Sequence, residues 1–135
     1  MRKILFVALL FSFFSCKKAK EVKMLKQDIV GTWELKKVVG YPFNQQPLPP
    51  GNGRIIVLEK NGLFERKQHD TVTFRGSYSL RTKKDCHERN SDIIFATTES
   101  SSGDYQYIEI LDGELLLSTP NCYQDGATAV FRRLK

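Results

Sequence analysis

Thr71-Val72-Thr73-Phe74-Arg75-Gly76-Ser77-Tyr78-Ser79-Leu80 decides the fold of this 135-residue chain. Val72, Phe74, Gly76, Tyr78 and Leu80 alternate with small or polar residues. That period of two is the pattern of a β-strand with one face buried and one wet. Gly76 falls on the apolar face, where a strand glycine marks curvature or the close approach of a neighbour.

The same alternation extends in both directions. Ile29–Val39 reads as a strand with Trp33 and Leu35 on one face and Glu34 and Lys36 on the other. Arg54–Lys60, Leu63–Lys67, Asp92–Thr98, Tyr105–Leu111, Leu115–Thr119 and Thr128–Leu134 read likewise. Asn61-Gly62 and Asp112-Gly113 are hairpin signals, with positive φ expected at both turn positions. Residues 83–91 form a polar connection. Eight short strands joined mostly by hairpin-length loops predict an all-β domain, an antiparallel barrel or sandwich, over residues 28–135. The exception is the Gly/Pro-rich loop 41–53, including Pro47-Leu48-Pro49-Pro50-Gly51, a length often used for lids or binding loops.

Upstream the composition changes. Arg2 and Lys3 precede an apolar run from Ile4 to Phe14, broken by Ser12. As a helix that run spans about 16 Å, half of a bilayer core, which suits a secretory leader and not a transmembrane span. Phe13-Phe14-Ser15-Cys16 resembles the lipobox of bacterial lipoproteins. The resemblance implies a cleaved signal over residues 1–15 and a diacylglycerol-bearing, acylated Cys16 at the mature N-terminus. Three acyl chains would hold the protein stably on a membrane. Lys17 stands where an aspartate would retain a lipoprotein at the inner membrane, which implies the outer membrane, facing periplasm or cell surface. Residues 16–27, with five lysines against Glu21, read as a flexible basic tether.

The chain carries a net charge of +6, and removal of Arg2 and Lys3 leaves +4. No arginine–aromatic stripe of a nucleic-acid surface is present. With Cys16 acylated, Cys86 and Cys122 remain as a pair in an oxidising compartment. A bridge would contribute about 3–4 kcal/mol. In an up-and-down barrel, however, their connections fall at opposite ends, so the bridge needs the 83–91 connection to fold along the wall, or a miscounted strand.

Gly31-Thr32-Trp33, the long loop after the first strand, the two hairpin signals and Val130-Phe131-Arg132-Arg133 together resemble the lipocalin-like domains of small bacterial lipoproteins. The resemblance implies an eight-stranded up-and-down barrel with Trp33 at its closed end. Arg132 or Arg133 would lie across that ring; alternation admits only one of them inside. Fatty-acid-binding proteins open similarly, but the proline-rich loop forbids their helical pair.

No nucleophile constellation is present, and His69 and His87 fall in polar turns. Asp85-Cys86-His87-Glu88 offers ligand types with no second cluster to complete a metal site. Glu59, Glu65 and Glu109 lie on separate strands without pairing. These observations point away from an enzyme and from a metal or cofactor. The expectation is a monomeric, membrane-anchored binding module, with Leu35, Phe74, Tyr78, Leu80, Phe95 and Phe131 lining a site for a small hydrophobic or amphipathic ligand, gated by 41–53. The alternative is a filled barrel acting as a periplasmic protein-interaction module, protease inhibitor-like or envelope-stress-related.

Overall fold

The computed structural model describes residues 17–40, 46–84, 91–98, 105–120 and 126–135. Eight strands follow one another: β1 (Gly31–Gly40), β2 (Arg54–Leu58), β3 (Leu63–Gln68), β4 (Thr71–Lys84), β5 (Ser91–Thr97), β6 (Gln106–Leu111), β7 (Glu114–Ser118) and β8 (Ala127–Arg133). Each pairs antiparallel with its sequence neighbours, and β8 pairs with β1, so the sheet closes into an up-and-down barrel. Closure leaves no edge strand to recruit another chain.

The strands match the alternation in the sequence with two departures on β4: it runs to Lys84, into the stretch expected as a connection, and a register shift sets Val72, expected on the apolar face, outward opposite Lys67. Trp33, Ile56, Leu58, Phe64, Tyr78, Phe95, Ile108, Leu115, Leu117 and Phe131 form the buried interior. Eight strands enclose a space that side chains can just fill. Three aromatic contacts tie its centre together: Phe64–Phe74 at 5.8 Å, Phe64–Phe95 at 5.9 Å and Tyr78–Phe95 at 5.7 Å between ring centroids.

The odd-numbered strands all run in one direction along the barrel, which distinguishes two ends. Residues 17–28 are helical, named α1, where the sequence predicts a flexible tether over residues 16–27. Val22, Leu25 and Ile29 recur at helical spacing, and Leu25 and Ile29 pack on the interior residues. Burial of that stripe holds the segment against the end where β1 begins, called the capped end below. The far end is where β1 finishes.

The turns depart from expectation in an informative way. Asp112 and Gly113 both have positive φ, at 52° and 77°, as the two-residue hairpin requires. At Asn61-Gly62 only Gly62 does, at 89°. Gly62 N–H instead donates to Glu59 O at 3.0 Å and Glu59 N–H to Leu63 O at 2.9 Å, so the loop has three residues with glycine in the left-handed position. The tight two-residue turn of this type falls at His69-Asp70, with φ of 48° and 65°.

β1 carries a bulge. Leu35 opposes Phe131 and Lys37 opposes Val130, leaving Lys36 without a partner in register. The extra residue shifts the alternation, so Val38 shares the inner face with Ala129 while Lys37 turns outward beside Val130.

Candidate functional site

Three groups of residues define the barrel's functional geometry: the closure of the capped end, the wall beneath the long loop, and the inner face toward the far end.

At the capped end, Trp33 is fully buried and its indole N–H donates to Ile29 O at 2.8 Å. Arg133 opposes Trp33 in register, and its guanidinium lies 4.3 Å from the centre of the indole ring. The two face each other because both have inward parity at the same level of adjacent strands. Arg133 also donates to Val30 O at 3.1 Å and to Asp28 O. One cation thus covers the ring and fastens the segment between α1 and β1. Gly31 has φ of 150°, and a Cβ there would sit 2.5 Å from Lys135 O, where the chain end crosses β1. Gly31, Trp33 and Arg133 therefore act as one closure.

Arg132 takes the other face. Its Nε is 3.1 Å from Glu34 Oε2, an ionic contact without an aligned N–H, and its Nη2 donates to Leu48 O at 2.7 Å. Glu34 is 1 % exposed, the one buried charged residue among the described residues. It accepts from Gly51 N–H at 3.1 Å and Gly53 N–H at 3.4 Å. Leu48 N–H donates to the bulged Lys36 carbonyl at 2.6 Å, and the Asn52 amide to Leu35 O at 2.9 Å. Residues 46–53 thus form a strap over the outside of β1. This corrects the expectation of a gate across the barrel mouth: a buried carboxylate needs donors, and the loop backbone supplies them at the wall. Residues 41–45 lie outside the described residues.

The six residues expected to line a ligand site occupy different levels. Tyr78, Phe95 and Phe131 belong to the buried interior. Leu80, half-buried, lies toward the capped end. Leu35, also half-buried, is level with Phe131, while Phe74 and Ala129, likewise half-buried, lie toward the far end. Tyr78 donates its hydroxyl proton to Glu59 O at 2.8 Å, and burial pushes its phenol above the usual range. Gly76 is the close approach its position announced: a Cβ there would sit 2.2 Å from Thr98 Oγ1 and 2.7 Å from the Phe74 ring.

Sequence reasoning missed Glu34 as a buried anchor. It also missed Ile94, fully buried although its register partners Arg81 and Tyr107 place it on the outer face. A β-branched residue between charged and aromatic neighbours carried no signal of being covered.

Among the described residues no group of three or more His, Cys, Asp or Glu side chains could hold a metal ion. Glu65 bonds Arg75 at 2.6 Å, which holds its carboxyl below the usual range, and has Lys67 at 3.5 Å. His69 is exposed on its turn beside Gln68. Cys16, Cys86, His87 and Cys122 lie outside the described residues. The barrel does have the eight strands counted, so a miscount does not bring the connections of Cys86 and Cys122 to one end. Comparison of the chain with protein-family models, with curated proteins and with solved structures finds no match in any of the three.

Proposed function

We propose that the chain is a membrane-anchored binding barrel, held at the bacterial outer membrane through acylated Cys16, that takes one small apolar or amphipathic molecule at the far end. The supporting observation is the uneven burial of the inward side chains. Trp33, Phe64, Tyr78, Phe95 and Phe131 make a buried floor. Leu35, level with Phe131, and Phe74 and Ala129 toward the far end pack on that floor yet keep part of their apolar surface exposed among the described residues. A molecule seated there gains affinity by removing that surface from water, about 25 cal/mol per Å². Binding leaves the floor and the capped end undisturbed. This reading assigns no reaction to the chain.

The packed floor also favours a second reading: a filled barrel that works through its surface as a protein-interaction module. Native mass spectrometry of protein isolated from its own envelope separates the two. A co-purifying small molecule, lost in Ala129→Trp, supports the ligand reading. A clean mass, with no binding of hydrophobic dye, sinks it in favour of the filled barrel. The anchor has its own test. Cys16→Ser releases the protein from membranes; retention with an uncleaved leader rejects acylation.

A further inference from the structure

Large apolar side chains left exposed are unevenly placed. Among the described residues they are Met24, Leu111 and Leu134, exposed by 53 %, 54 % and 46 %, and Val72 at 40 %. Val72 lies at the far end, at the start of β4. The other three all belong to the capped end: Met24 on α1, Leu111 at the β6–β7 hairpin and Leu134 just past β8. The β7–β8 register, continued from Leu115–Phe131, brings Leu134 level with Asp112, the neighbour of Leu111.

Positive charge gathers at the same end. Lys17, Lys18, Lys20, Lys23 and Lys26 lie on α1, and all are exposed. Lys60 and Lys135 add to them. Among the described residues opposing charges are fewer: Glu21, which pairs with Lys18 at 3.1 Å, Asp28, Glu59, Asp112, and Glu114, which pairs with Lys36. Because Val22, Leu25 and Ile29 turn α1 toward the barrel, Lys20, Lys23 and Met24 lie on its opposite side. A lysine-rich helix face carrying an exposed apolar residue, beside two further exposed leucines, is the chemistry of a lipid interface.

We propose that the capped end is a docking face for an anionic lipid surface, on which the barrel stands with its far end turned away. The inference rests in part on the anchored reading, since the described part of α1 directly follows Cys16. Its argument from charge and exposure stands without the acyl chains. Each lysine brought to an anionic surface contributes about a fivefold gain in partitioning, screened by salt. Exposed Met24, Leu111 and Leu134 add an apolar component that charge alone does not supply.

Residues 17–135 contain α1 and the whole closed barrel, so the test uses that chain without Cys16. It is mixed with vesicles of phosphatidylglycerol and phosphatidylcholine in equal parts, or of phosphatidylcholine alone, and sedimented. The expected result is pelleting with the anionic vesicles only, reversed by salt. Lys23→Glu should reduce it at least fivefold, while Arg54→Glu at the far end leaves it within twofold. Tryptophan emission of Leu134→Trp should shift to the blue on the anionic vesicles. Equal binding to both vesicles, binding to neither, or equal loss in the two charge reversals overturns the proposal. Cys16→Ser in the full chain reports on the anchor separately, so failure of one reading is distinguishable from failure of the other.

Discussion

The guanidinium of Arg133 lies 4.3 Å from the centre of the Trp33 ring and donates to the carbonyls of Val30 and Asp28. One side chain from the last strand thereby joins the first strand to the helix that closes the barrel. Arg133→Ala should cost about 2 kcal/mol, the sum of a cation–π contact and hydrogen bonds from a charged donor. Arg133→Lys should recover less than half of the loss, because a lysine cannot cover the ring and reach both carbonyls. Urea denaturation followed by Trp33 fluorescence measures both. Equal stability of the alanine variant would show that the closure holds without this residue.

Glu34 and Arg132 form the matching pair on the outer wall. Glu34→Ala leaves the Arg132 guanidinium and two loop amides without their acceptor, at a cost of about 3 kcal/mol. Glu34→Leu combined with Arg132→Leu should lie closer to the parent than either single variant, since apolar replacement of both partners removes the desolvation cost. Hydrogen exchange at the Gly51 and Gly53 amides supplies the local readout. It should quicken in the Glu34 variants while the amides of β6 and β7 keep their protection.

Tyr78 couples stability to alkaline pH. Its phenol is raised in the fold by burial, and its proton is engaged with Glu59 O. The unfolded chain ionises this phenol near about pH 10 and the folded protein only at higher pH. Its contribution is therefore complete below about pH 10 and is lost as pH climbs from the unfolded toward the folded value. Tyr78→Phe should be less stable by about 1 kcal/mol near neutrality. That gap should narrow in denaturation curves above about pH 10. A gap that stays constant would exclude the coupling.

Gly76 carries a steric prediction. With Thr98 Oγ1 and the Phe74 ring already occupying the space, Gly76→Val should cost about 2–3 kcal/mol through displacement of both neighbours. A lowered thermal midpoint is the check. Adding Phe74→Ala, which vacates part of that space, should make the second substitution less damaging than it is alone.

The barrel was legible in the sequence because strands with one buried face write their own alternation. Phe74 to Leu80 and Leu115 to Leu117 needed no partner to be read, whereas Val72 is turned out opposite Lys67 by a bulge that no pattern announced. The choice between Arg132 and Arg133 was not legible. It depends on which residue of β8 lies level with Trp33, and register between distant strands leaves no mark in either one. The strap was hidden for a related reason: Glu34 looks like any outward strand residue until a loop 17 positions later folds back on it. In α1 the five lysines masked the spacing of Val22, Leu25 and Ile29 that fixes it to the barrel. His69-Asp70 lacked the glycine that usually announces a two-residue turn, yet adopts one.

The bulged Lys36, without a register partner on β8, acts on β1 as a shifted frame acts on a message. Before it, odd-numbered positions face the interior; after it, even-numbered ones do. Straightening the bulge with Lys36 retained would thread Lys37 into the barrel and expel Val38, whereas deleting Lys36 would leave both facings unchanged and remove the carbonyl that receives Leu48. The bulge itself sets which positions of β1 beyond it face the interior. Substitutions at Lys36 should keep the bulge but lose the ion pair that its ammonium makes with Glu114 on β7.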